Sequence, residues 1–151
     1  MYTRQEASLL RKKFWTTFGQ YMKPVRGATG DTINWLNYKT GIRQLYFRMD
    51  ATAVAATIAI EISHTDSSSR YNYFDKLVQV KSILEKTTGE SWQWEKDQKD
   101  EDGQVISRIY TTKEKLNIFN EADWPAIISF LKPRIIALDE FWMMVKDNVE
   151  Y

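Results

Sequence analysis

Apolar residues recur along the chain in two rhythms, one near 3.6 residues and one of two, and the switches between them mark the predicted elements. Thr3 and Glu6 have the spacing of a capping box, in which the Thr3 hydroxyl accepts from the Glu6 amide and the Glu6 carboxylate reaches back. Ala7, Leu10, Phe14, Phe18 and Tyr21 follow at three- and four-residue steps and predict one apolar helical face. Lys23-Pro24 ends it, because the residue before a proline is pushed out of the α region. The rhythm then shortens. Ile33 to Tyr38 reads as a strand closed by the turn Lys39-Thr40-Gly41, and Leu45, Phe47 and Met49 alternate with Tyr46 and Arg48. After the connection Asp50 to Ala53, the strongest strand places Val54, Ala56, Ile58, Ile60 and Ile62 on one face, with Thr57, Ala59 and Glu61 on the other.

Asp66-Ser67-Ser68-Ser69 is a run of helix N-caps, and the helix it opens carries Tyr73, Leu77, Val80 and Leu84 toward a core and stops at Gly89. Trp92 to Glu95 alternates as a strand, Asp102-Gly103 is the tip of a hairpin, and Val105 to Thr111 is the return strand. The last helix starts at Asp123 as N-cap, with Trp124 and Pro125 in its first turn. Its seam of Ile128, Leu131, Ile135, Leu138, Trp142, Val145 and Val149 falls at steps of 3, 4, 3, 4, 3 and 4. Such a seam packs on the chain's own sheet or on a second copy. Pro133 lies inside it and predicts a kink or a division into two collinear pieces. The expected fold is a single α+β domain spanning 1–151, in the order α-β-β-β-α-β-β-α, with a mixed or antiparallel sheet packed by long helices.

Composition removes several chemistries. The 151 residues contain no cysteine, which excludes disulfides, thiolate nucleophiles and Cys-based metal sites, and a single histidine excludes multi-histidine metal sites. No phosphate-binding or dinucleotide glycine motif is present, so no cofactor is expected. The sequence shows no signal-peptide pattern and no apolar run long enough to span a bilayer, so a cytoplasmic location without membrane partners is expected. The net charge of +1 conceals an asymmetry: residues 1–50 carry nine Lys/Arg against three Asp/Glu. A basic segment suits phosphate contact only if folding gathers it into a patch.

Three groups of residues carry candidate chemistry. The polar string from Glu61 through Ser63, His64 and Asp66 to Arg70 lies where the strongest strand gives way to a helix, either as a capped helix start or as a binding cluster. Asp50 and Glu61 on neighbouring strands resemble the carboxylates of a PD-(D/E)xK nuclease, in which they hold the metal that activates water. Ser63 stands where such an enzyme carries lysine, so the lysine would come from the following helix, with Lys81 or Lys76 as candidates. The aromatic and basic residues Trp35, Tyr38, Arg43, Tyr46 and Arg48 interleave on the early strands, as base stacking and phosphate pairing require. The binding residues expected from these patterns are Lys39, Arg43, Arg48, His64 and Arg70.

The strings Trp35-Leu36-Asn37-Tyr38-Lys39-Thr40-Gly41, Tyr46-Phe47-Arg48-Met49-Asp50, Ser107-Arg108-Ile109-Tyr110, Asn117-Ile118-Phe119-Asn120 and Asp123-Trp124-Pro125, and above all the run Phe130 to Trp142, resemble a bacterial family catalogued as domain of unknown function 4268. The resemblance implies a link to nucleic-acid processing, since members occur alone or behind nuclease-like domains, and it implies no catalytic residues. Within the strings, Arg134 is expected to pair with Asp139 or Glu140, and Arg108 is the other candidate partner for Asp139. The function expected is a non-enzymatic binding or accessory module, with a metal-dependent nuclease or its inactive relic as the alternative. The partner is nucleic acid or a nucleic-acid-processing protein, and the chain is a monomer or a homodimer through its C-terminal helix.

Overall fold

A computed structural model describes residues 2–151. Helix α1 (Arg4–Met22) opens with the Glu6 amide donating to the Thr3 hydroxyl at 3.1 Å. Its buried stripe is Phe14, Phe18 and Met22. Tyr21, expected on that stripe, is half exposed, because repeated four-residue steps carry the face on to Met22. Strands β1 (Leu45–Ala51) and β2 (Ala55–Ile62) form a hairpin, helices α2 (Ser67–Gln79) and α3 (Lys81–Thr88) follow, and β3 (Gln93–Lys99) and β4 (Val105–Glu114) form a second hairpin. Helix α4 (Trp124–Glu150) closes the chain.

The fold is α+β, and the order of elements along the chain follows the expectation with two local differences. Ile33 to Tyr38 is not a strand: Trp35–Asn37 form one 3-10 turn, capped by the Asn34 side chain accepting from the Asn37 amide. The alternation of Ile33 and Trp35 reflects two side chains reaching the core from a turn. The second helix breaks at Val80, whose dihedrals leave the helical region. Val54, expected on the apolar face of β2, lies in the hairpin turn and is largely exposed.

All strand pairs are antiparallel, in the order β1-β2-β4-β3. Ala56, Ile58, Ile60 and Ile62 of β2 are fully buried, as is Ile109 of β4, and they face the helices together with Leu45 and Phe47 of β1. The opposite face of the sheet is open. Helix α4 runs unbroken through Pro133, which sits on its exposed side, where the carbonyl that loses its amide donor is left to water. The seam residues Leu131, Ile135, Leu138, Trp142, Val145 and Val149 are fully buried inside the chain, and Ile128 at its start is partly buried. Asp123 precedes the helix but does not cap it; its carboxylate accepts instead from the Asn117 amide at 2.9 Å.

Polar anchors hold α4 in place. Arg134 grips both oxygens of Glu90 at 2.9 Å, not the acids of its own helix, and it also donates to the Phe130 carbonyl. Asp139 meets Tyr38 and the Ala28 amide rather than Arg108. The Trp142 indole donates to the Thr40 carbonyl at 2.8 Å while its ring meets the edge of Phe47. Truncating Trp142 leaves both a cavity and an unpaired carbonyl. Trp142→Ala is therefore expected to lower unfolding free energy by about 3–5 kcal/mol, read from urea denaturation. An unchanged midpoint accompanied by loss of a dimer would contradict this placement.

Candidate functional site

Period-two alternation sends Tyr46, Arg48 and Asp50 of β1 to the open face with Thr57, Ala59 and Glu61 of β2, and Arg108, Tyr110 and Thr112 of β4. Register sets them in rows across the sheet: Tyr46, Glu61, Arg108 and Glu95 in one, Arg48, Ala59, Tyr110 and Gln93 in the next, then Asp50, Thr57 and Thr112. The small Ala59 and the buried Ile106 form a floor, and the hairpin tip from Lys99 to Asp102 rises at one end. The result is a shallow cavity of about 420 Å³.

Aromatic rings organise the charges on this face. Arg48 lies 4.1 Å above the Tyr46 ring and donates to Glu61 at 3.3 Å. Arg108 lies 3.9 Å above the Tyr110 ring. Its Nε is covered and has no hydrogen-bond partner, and no carboxylate among the described residues lies within 4 Å of it. Glu95, which stands opposite Arg108, is taken up by the Tyr110 hydroxyl, and that hydrogen bond is the first cause raising the Tyr110 hydroxyl above the usual phenol range. Thr57 and Thr112 bond across the strands at 2.9 Å. The lining carries Arg48, Lys99 and Arg108 against Asp50, Glu61, Asp100, Glu101 and Asp102, an excess of two negative charges.

Of the residues expected from sequence, Arg48, Asp50 and Glu61 meet here. Asp50 and Glu61 do not form a pair. Asp50 stands opposite Thr57, four residues from Glu61 along β2, which separates their Cα atoms by about 14 Å at ordinary strand spacings. Lys81 lies on the other side of the sheet, 5.5 Å above Trp94, where it also meets Glu85 at 3.9 Å. No group of three His, Cys, Asp or Glu side chains among the described residues is arranged to hold a metal ion. Lys39 and Arg43 are exposed away from this face. Of the nine basic residues in 1–50, Arg11 donates to the Ala51 carbonyl, Lys13 to Glu121, Arg26 to Thr32 and Arg48 to Glu61.

The Glu61 to Arg70 cluster is chiefly a brace. Arg70 is buried and donates to the carbonyls of His64 and Thr65 and to Asp97, so it ties the β2–α2 loop to β3. Asp97 sits at a bulge with φ +55°, its amide donating to Ser107 Oγ and its carboxylate accepting from Tyr71. Asp66 caps α2 through the Ser69 amide at 2.9 Å. The residues missed from sequence are Arg108, Tyr110 and the acidic tip. Period two places Arg108 and Tyr110 on one face of their strand, but only the bulged β3–β4 register brings Glu95 and the tip to them.

His64 stacks on Tyr73 with ring centroids 4.9 Å apart, and its Nδ1 is covered without a partner. Burial holds its pKa below 6.5, outweighing the opposite pull of Asp66 and the Arg43 carbonyl. The unfolded chain therefore takes up this proton at a higher pH than the folded chain. The stabilisation from a neutral His64 is full above the unfolded pKa near 6.5 and is lost as pH falls through the lower folded value. Thermal melts between neutral and mildly acidic pH are expected to show a falling melting temperature. His64→Gln should flatten that slope, and an equal slope in both proteins would contradict it.

None of the helices in the described residues is long and apolar enough to cross a membrane. No curated protein and no solved structure matches the chain. A family model matches residues 10–146, which takes in the open sheet face, the Arg70 brace and nearly all of α4. The chain belongs to the family described as "Domain of unknown function (DUF4268)".

Proposed function

We propose that the chain is a non-enzymatic binding or accessory module, acting in the cytoplasm beside nucleic-acid enzymes and engaging its partner through the open face of the sheet. Arg108 carries this proposal. Its guanidinium lies 3.9 Å from the centre of the Tyr110 ring and has no carboxylate within 4 Å among the described residues. With its Nε covered, Arg108 offers its Nη donors to an incoming acceptor and loses little side-chain freedom in using them. Arg48 lies over Tyr46 in the same way, two strands from Arg108, with Glu61 as its partner. Nucleobases stack on guanidinium and aromatic planes, and phosphates accept from the same arginines.

The acidic tip from Asp100 to Asp102 opposes a long phosphate track, so the contact is short. Weak binding of single-stranded DNA or RNA is expected, with Kd about 10–100 μM at low salt. Two phosphate-facing arginines give a salt slope of only about −1.4. Arg108→Ala should weaken binding about tenfold in a fluorescence-anisotropy titration, the scale of one lost stacking contact. No anisotropy change at low salt would remove nucleic acid as the ligand.

A binding role also predicts no cleavage of DNA or RNA in Mg²⁺ or Mn²⁺. Glu61 is engaged by Arg48, and the lysine candidate Lys81 lies across the sheet from it. Without an assisting group, water activation forgoes about 10²–10⁴-fold in rate. Cleavage by the wild type that disappears in Glu61→Ala would overturn the binding role in favour of a nuclease.

A further inference from the structure

Asp139 projects from α4 and is only 2% exposed. Its Oδ1 accepts from the Tyr38 hydroxyl, and its Oδ2 accepts from the Ala28 amide at 2.7 Å. Both contacts are donors to the carboxylate oxygens. No Lys, Arg or His nitrogen among the described residues lies within 4 Å of it. The carboxylate is thus met by neutral dipoles, with no cation beside it among the described residues. Gly27 seals one side: a Cβ there would stand 3.2 Å from Asp139 Oδ2 and 2.7 Å from Ile33, so only glycine lets the loop lie this close.

The other side opens on a cavity of about 350 Å³ lined by Asn34, Asn37, Tyr38, Lys39, Asp139 and Met143, with Asp31 at its rim. Two carboxylates face one ammonium there. The Asn34 side-chain oxygen is used in capping the 3-10 turn, and Met143, nearly half exposed, supplies an apolar wall. The volume suits a ligand of about ten non-hydrogen atoms. No three His, Cys, Asp or Glu side chains among the described residues cluster as metal ligands.

We propose that this cavity binds a small organic cation through an ammonium or guanidinium group, with Asp139 as its counter-charge and Tyr38 holding that carboxylate in place. Lys39 at the rim opposes entry of a cation and limits affinity. The site is separate from the open sheet face, so success or failure at one leaves the other undecided.

The test is an amide NMR titration of the full chain with methylguanidinium, against neutral N-methylurea of the same shape and matched sodium chloride. Saturable shifts confined to residues around Asn34, Lys39 and Met143 are expected with methylguanidinium, at a Kd of about 1–10 mM for a five-atom fragment. N-methylurea and salt should produce none. Lys39→Met, an exposed substitution, should tighten binding about two- to fivefold by removing a like charge. Asp139→Asn should abolish binding if it folds; if it does not, Lys39→Met decides. Absence of saturation, an equal response to N-methylurea, or an affinity unchanged in Lys39→Met would overturn the proposal.

Discussion

The Asp139 carboxylate draws the segment between α1 and β1 onto α4. That segment has almost no regular structure, only a single 3-10 turn, so few backbone bonds of its own hold it. It is fixed by contacts to side chains far away in sequence: Ala28 and Tyr38 to Asp139, and the Thr40 carbonyl to Trp142. Burial, and then the hydrogen bond to Asp139, hold the Tyr38 hydroxyl far above the usual phenol range, so it remains a donor at any physiological pH. With Tyr38 fixed, its ring stacks on Phe47 at 4.9 Å, and Phe47 meets Trp142 in turn. The edge of β1 is thereby seated against the helix that covers the sheet.

Seating all the helices on one face leaves the other face to solvent, and this is the constraint on function. A sheet covered on one side only must carry polar residues at alternate positions on the other, and here those positions hold Arg48, Glu61, Arg108 and Tyr110. The Arg70–Asp97 brace ties the β2–α2 loop to the β3 bulge, and the hairpin tip beyond that bulge lines one end of the cavity. Arg70 is buried and tied to Asp97 and two loop carbonyls, whereas Arg108, two strands over from Arg48, has no carboxylate within 4 Å among the described residues.

Periodicity made the β1–β2 hairpin, the capped start of α2 and the α4 seam legible, because each is a local pattern read against a core. The Ile33–Tyr38 segment misleads for the opposite reason. Its apolar residues are spaced as in a strand, but their partners are remote: the Trp35 indole donates to Val25 and Tyr38 to Asp139, 101 positions on. Arg134 shows the same limit, since nearby acids on its own helix were natural partners, yet Glu90 on the α3–β3 connection takes both its donors. The open face was half legible. Arg48 and Glu61 followed from alternation, but Arg108 gains its place only through cross-strand register, and a bulge at Asp97 with positive φ cannot be counted out from composition.

Amide hydrogen exchange at Ala28 in the wild-type protein tests the organising role of Asp139 most directly. Ala28 lies in a loop with no helical or strand partner, and its amide has one acceptor, the Asp139 carboxylate on α4. If that contact holds the segment in place, the Ala28 amide exchanges as slowly as the buried amides of α4, opening only with global unfolding. Exchange as fast as that of the neighbouring exposed Thr29 would contradict the account.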